Sequence, residues 1–251
     1  MISQTLLEKL LHLRLTTFRK GLQDQVGNPI YADLPFEERL LLLVDLECTQ
    51  RNDSRNKRRL NLAEFPLFAA IDEIDFSPER GLDRRLILEL AQCTWVDKGL
   101  NILVLGATGT GKTFIATSLG VAACRGDFSV RYWRTSRLLL ALAHARQDGS
   151  YLSFLRSLNK TDVLILDDWM RDPIPLQGTQ DLLEIFDDRF NKKSTLIVSQ
   201  VPVADWHLRF PDPTLADAIL DRTIHNAYRL SLLGGSQRKL RANRTMPHTD
   251  L

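Results

Sequence analysis

Gly106-Ala107-Thr108-Gly109-Thr110-Gly111-Lys112-Thr113 follows the apolar run NILVL at 101–105 and opens an amphipathic stretch at 112–124. Gly106 and Gly111 let the backbone turn sharply, so that successive N–H groups converge on one point. A strand entering such a loop and a helix leaving it is the context in which the pattern cradles phosphates. Lys112 supplies a mobile positive charge for β- and γ-phosphates, and the Thr113 hydroxyl suits Mg²⁺. The eight residues therefore predict a P-loop for a nucleoside triphosphate.

Working outward, the pattern alternates. Strands are expected at 129–133 (SVRYW), 162–167 (DVLILD), 195–200 (TLIVSQ) and 227–233. Helices are expected at 112–124, 135–147, near 150–158, at 178–191 and within 203–225. Buried apolar strands alternating with amphipathic helices predict an α/β fold, a parallel sheet covered by helices on both faces. Upstream, a helix is expected from Ser77-Pro78 to about Cys93. Before it, Leu6, Leu7, Leu10, Leu11, Phe18 and Leu22 mark one helix over 4–24, ended by Gly27-Asn28-Pro29. A second helix begins near Pro35, with Glu37 and Glu38 in its first turn. A third stretch, 60–76, mixes apolar residues with acids. Residues 1–75 are read as a small all-helical N-terminal domain, the alternative being a helical decoration of the next domain. The nucleotide domain covers 76–240, and 241–251 is a polar tail.

The 251 residues are 44% apolar and 25% charged, the balance of an ordinary globular chain, and the formal net charge is only +2. Attraction to nucleic acid must then come from local clusters rather than the global field. Cys48, Cys93 and Cys124 are odd in number and in no metal spacing, as expected of reduced core thiols. The N-terminus lacks the apolar core of a signal peptide, and no apolar run reaches the roughly 20 residues of a membrane helix. A cytoplasmic protein without membrane contact is expected.

A magnesium site needs a carboxylate at the end of a hydrophobic strand, and VLILD at 163–167 supplies Asp167. Asp168 beside it could orient or deprotonate an attacking water. One strand lies between the P-loop and Asp167, the arrangement of ATPases with an additional catalytic strand. The strand 195–200 ends in Ser199-Gln200, either a γ-phosphate sensor or a polar turn. Asn159-Lys160-Thr161-Asp162 spells the guanine-reading NKxD, but it precedes the magnesium strand rather than following it, so ATP is expected. Arg222, late on a helix before the last strand, suits either an arginine finger acting in trans or an ion pair with Asp217 or Asp221.

With these residues in place, the chain resembles the IstB-like helper ATPases of bacterial insertion sequences, AAA+ relatives of the DnaC helicase loaders and DnaA initiators. The resemblance covers roughly 5–240. It includes LLEKLLHLRL at 6–15, PFEERLLLLVDLE at 35–47, Ile74-Asp75-Phe76, Arg80-Gly81-Leu82-Asp83, Trp95, Leu220-Asp221-Arg222 and Gly235-Ser236-Gln237-Arg238. It implies an AAA+ core without a separate lid domain, and a homo-oligomer with ATP sites at subunit interfaces. It further implies binding to duplex target DNA and assistance to a cognate transposase. The implied roles are Lys112 and Thr113 in the P-loop, Asp167 on Mg²⁺, Gln200 as sensor and Arg222 as arginine finger. Two departures stand out: Asp167-Asp168 replaces the frequent Asp-Glu, and Ser199-Gln200 replaces Ser-Asn, leaving open which of the two senses. Basic residues supply the expected phosphate contacts. Residues 51–59 carry Arg51, Arg55, Lys57, Arg58 and Arg59 against Asp53, and 131–160 carry six basic residues, Arg134 and Arg137 among them, against Asp148. No base-reading motif accompanies them, so low sequence specificity is expected. A DnaC-like helicase loader and a small-molecule P-loop kinase are the alternatives.

Overall fold

A computed structural model describes residues 2–235. Its first helices are α1 Gln4–His12, α2 Thr16–Gly27, α3 Phe36–Ala63, α4 Arg84–Ala91 and the short α5 Thr94–Asp97. Then come β1 Asn101–Gly106, α6 Lys112–Arg125, β2 Val130–Arg134, α7 Thr135–Gln147, α8 Tyr151–Lys160 and β3 Val163–Trp169. The last elements are α9 Leu176–Arg189, β4 Ser194–Ser199, α10 Pro213–Ile224 and β5 Ala227–Leu232. The chain divides into two compact units between Arg58 and Arg59, within α3.

In the first unit, the single helix expected over 4–24 is two. Arg14 takes a φ of 56°, which breaks the helix between His12 and Thr16. Glu47 on α3 then serves the new helix start: its carboxylate accepts from the Thr17 and Phe18 amides at 3.0 Å each and pairs with Arg51. Burial pushes the Glu47 carboxyl up, but the two amides and Arg51 outweigh it and hold it below its ordinary value. Gly21 lets α2 pack close on α3, since a Cβ there would lie 2.9 Å from the end of the Leu43 side chain, which would have to shift.

In the second unit, five parallel strands run in the order β2-β3-β4-β1-β5. Strand parity separates two cores. Ile102, Val104, Val163, Ile165, Leu196 and Val198 face α4 and α6, while Leu103, Leu164, Leu166 and Ile197 face α7 to α10. Helices on both faces explain why the inner strands β1, β3 and β4 are buried and largely apolar, whereas the outer strands β2 and β5 admit arginines. The segment 60–76, expected in the N-terminal domain, belongs here: Leu60, Phe65, Ile71, Ile74 and Phe76 pack on the α6 side of the sheet. The helix expected from Ser77 is also interrupted. A 3-10 turn, Pro78–Arg80, ends at Gly81 with φ 62°, and Asp83 caps α4 by accepting from the Arg85 amide at 2.8 Å. Cys93 and Cys124 are buried, and burial pushes their thiols up to about 11 and about 12; Cys48 is exposed, against the core reading. Among the described residues no helix is long and apolar enough to cross a membrane.

Arg189 ties the amino edge of the sheet together. It is 1% exposed and donates to the Leu158 and Thr161 carbonyls at 2.8 Å each and to the Ser194 carbonyl. An Arg189→Met variant leaves those carbonyls buried without a donor. A loss of about 3 kcal/mol is expected, lowering the midpoint by about 6–12 °C. Thermal unfolding followed by circular dichroism checks it; an unchanged midpoint would contradict this role.

Candidate nucleotide site

The P-loop leaves the carboxyl end of β1. Gly106, Gly109 and Gly111 have φ of 153°, 85° and 92°, and a Cβ on Gly106 would lie 2.6 Å from the Leu232 carbonyl oxygen. Only glycine permits that turn, which aims the following amides at one concavity. Lys112 reaches back so that Nζ donates to the Ala107 carbonyl at 2.8 Å. Thr110 closes the loop internally, its hydroxyl donating to the same carbonyl at 2.8 Å.

β3 supplies the acids. In a regular strand Asp167 and Asp168 would point to opposite faces. Here the β3–β4 register passes from Leu166↔Ile197 to Trp169↔Ser199, so both acids oppose Val198 alone, and Asp168 takes a φ of 55°. This bulge turns both carboxylates toward one cleft of about 690 Å³, shared with Thr108, Gly109, Lys112 and Thr113. Trp169 anchors the far side of the bulge, 0% exposed and edge-on to Phe186, Trp206 and Phe210.

Asp167 is fully engaged. Oδ2 accepts from Thr113 Oγ1 at 2.8 Å and from the Tyr132 hydroxyl at 2.6 Å, and Oδ1 accepts from the Asp168 amide at 2.7 Å. Burial, with Asp167 beside it, pushes the Tyr132 phenol up, so it stays a donor. A hydroxyl and a carboxylate in contact are the hard oxygen ligands that magnesium takes, so these residues fit that ion. Asp168 Oδ2 lies 3.2 Å from Arg171 and 4.0 Å from Arg134. Arg134, assigned from sequence to DNA, therefore faces the nucleotide cleft.

β4 lies between β1 and β3, and its end brings Gln200 to the cleft, where its Oε1 accepts from the Thr108 hydroxyl. Ser199 is buried and donates to the Trp169 carbonyl at 2.7 Å, so of the pair Gln200 is the residue that faces the site. Asp162, of the NKxD look-alike, precedes β3 and binds Ser129 and Lys193 at the opposite edge of the sheet. Arg222 also lies at that opposite edge: its carbonyl accepts from Asn101, the first residue of β1, at 3.0 Å. β1 spans about 20 Å, so the side chain is remote from its own P-loop. Arg222 pairs with Asp187, neither of the acids expected.

The basic runs separate on inspection. Arg59 donates to the Cys124 carbonyl at 3.3 Å and pairs with Asp127, and Arg51 is held by Glu47 and the Arg14 carbonyl, so Arg59 is half-buried and tied to the second unit, while Arg51 stays exposed but tethered. Arg55, Lys57, Arg58 and Arg137 are exposed. Arg131 pairs with Glu64, and Arg146 pairs with Asp181. Arg238 lies outside the described residues. Sequence reading missed Tyr132 and Arg171, whose relation to the acids depends on strand pairing.

The sequence pattern of the IstB-like ATP binding protein family matches residues 8–245. A Sinorhizobium fredii protein named for an insertion sequence and for ATP binding is 41% identical over 239 residues, 95% of this chain and 98% of its own. A Pseudomonas aeruginosa protein named for ATP binding in insertion sequence IS21 is 30% identical over 235 residues, 94% of this chain and 88% of its own. Among solved structures, AMPPCP-bound DnaA from Aquifex aeolicus superposes with a TM-score of 0.59 at 15% identity, over 75% of this chain and 58% of that one. The DnaC helicase loader gives 0.51 at 20% identity, over 70% of this chain and 99% of that one. At such identities the likeness is one of fold, an α/β AAA+ core.

Tyr132→Phe removes one donor from Asp167 and keeps the ring. A rise of about 2–10-fold in the magnesium needed for half-maximal nucleotide binding is expected, the scale of one hydrogen bond. Calorimetric titration checks it, with binding in chelator unchanged; equal magnesium dependence in both proteins would contradict it.

Proposed function

The chain belongs to the family of IstB-like ATP-binding proteins, and on that premise we propose that it is an ATPase that oligomerises on target DNA and assists a transposase. The observation that supports the ATPase part of the reading is the contact of the Thr113 hydroxyl with the Asp167 carboxylate at 2.8 Å, in the cleft that Asp168 and Gln200 also line. The amides of 106–113 and Lys112 would hold the triphosphate of ATP, and Thr113 and Asp167 would hold Mg²⁺. Bound magnesium neutralises charge on the phosphate oxygens. Asp168 orients the water and receives its proton, held toward the cleft by Arg171 and Arg134. Gln200 senses the γ-phosphate end.

Arg222 cannot serve its own P-loop from the opposite sheet edge, which supports a role on a neighbouring subunit's nucleotide. Its pairing with Asp187 stores the guanidinium until a neighbour docks. The exposed Arg55, Lys57, Arg58 and Arg137 are the DNA contacts, to phosphates and so of low sequence specificity. The site of action is the cytoplasm, where the DNA lies. A helicase loader would use the same core, and it is the family's insertion-sequence membership that favours transposition.

Mixing tests the shared site. Lys112→Ala and Arg222→Ala proteins should each be inactive, and together should regain a portion of the ATPase rate, since each supplies the half-site the other lacks. Full activity of Arg222→Ala alone would reduce it to an ion pair. A salt series tests DNA contact. Lys57→Ala/Arg58→Ala should flatten the log–log salt slope of duplex binding by about 2, at about 0.9 per phosphate contact, and equally for unrelated sequences. An unchanged slope would leave this run a solvated helix face.

A further inference from the structure

Arg80 lies outside the P-loop, the magnesium pair and the basic runs, yet it is one of the most buried charges in the second unit. It ends the 3-10 turn Pro78–Arg80 and is 6% exposed. A guanidinium is always protonated, and such burial is expensive unless a counter-ion meets it. Among the described residues no carboxylate does. Nη2 donates to the Thr110 carbonyl of the P-loop at 2.6 Å, and Nη1 donates to the Asp75 carbonyl at 3.2 Å. Nε is buried without a partner. The guanidinium packs on Gly111, where a Cβ would come within 3.0 Å of Nη2. It lines the same cleft as Lys112 and Thr113. The main chain of the turn is fixed as well, since the Arg80 carbonyl accepts from the Leu233 amide at 2.9 Å.

Two carbonyl dipoles offset part of the desolvation and leave a net positive charge against the loop. An anion in the cleft would balance it, and the stronger the anion the larger the gain. The geometry points to Arg80 as a positioning residue and second fixed cation of the nucleotide site, whose ligand class is a nucleoside polyphosphate. By taking the Thr110 carbonyl it fixes the Thr110–Gly111 peptide, and with it the direction of the amides that follow. By its charge it favours the di- and triphosphate over the monophosphate. The inference rests on the nucleotide-site reading above.

The two roles a buried arginine can have differ in what they do across a series of nucleotides. An arginine that only holds the loop carbonyls weakens ATP, ADP and AMP alike when it is removed. A fixed cation facing the phosphates weakens the di- and triphosphate more than the monophosphate, whatever the loss of the two carbonyl contacts costs the nucleotide-free protein. The test is calorimetric titration of ATP, ADP and AMP into the full chain, with thermal melts in the absence of nucleotide, for wild type, Arg80→Met and Arg80→Lys. Arg80→Met should lose about 10-fold or more in ATP affinity, the scale of one charge-assisted contact, and less for AMP. Its nucleotide-free midpoint should fall modestly, since the Thr110 and Asp75 carbonyls lose their donor, with unfolding still cooperative. Arg80→Lys, which keeps the charge, should fall between the two. Arg80→Met binding ATP as tightly as wild type would overturn the inference alone. So would an equal loss of affinity for ATP, ADP and AMP, or a lysine variant no better than methionine. Wild-type protein taking up no ATP would overturn the nucleotide-site reading itself, and this inference with it.

Discussion

The hydrogen bond from the Thr113 hydroxyl to the Asp167 carboxylate joins two strands that are not neighbours. Thr113 stands at the start of α6, after β1, and Asp167 near the end of β3, with β4 between them. That separation is what makes room for Gln200 at the end of β4, between the phosphate loop and the acids. Had β1 and β3 been adjacent, the same residues would have met without a polar side chain from a strand end between them. The contact also needs the bulge in β3, since a regular strand would send one of the two acids into the core.

Charge at the site is organised in pairs. Asp167 receives three donors and is buried, so its orientation is fixed. Asp168 is more open and is steered by Arg171 and Arg134. Arg134 and Arg171 meet an acid, whereas Arg80 is a buried guanidinium met only by carbonyls among the described residues, with Nε unpartnered. At the far edge of the sheet the same economy of pairing applies, with Arg189 on carbonyls and Arg222 on Asp187.

From β1 to β5 the fold was legible because the inner strands β1, β3 and β4 carry apolar runs, the outer strands β2 and β5 mix apolar and basic residues, and amphipathic helices alternate with them. The P-loop and Asp167 were legible because their chemistry is local: one loop, one strand end. What escaped depends on distant pairing. Nothing near Arg14 announces a positive φ in a non-glycine residue, so two helices looked like one. Phe65, Ile71 and Ile74 carry the apolar spacing of a helical domain but pack on the α6 side of the sheet. Tyr132 reaches Asp167 only through the β2–β3 register, which pairs Tyr132 with Ile165 and Arg134 with Asp167. Which members of the basic runs are left unpaired was hidden for a related reason. Composition counts charges, whereas Arg59, Arg131 and Arg146 are already held by Asp127, Glu64 and Asp181.

On the proposed reading Arg222 completes a neighbour's nucleotide site, so nucleotide occupancy and assembly would be one equilibrium. Copies joined in that way on a duplex would gain avidity without any base contact. Sedimentation velocity of the protein with a short duplex, in magnesium with ATP and then with ADP, measures that coupling directly. The account predicts a complex of several copies on the DNA in ATP and its loss in ADP. A single-copy complex of the same mass in both nucleotides would contradict it.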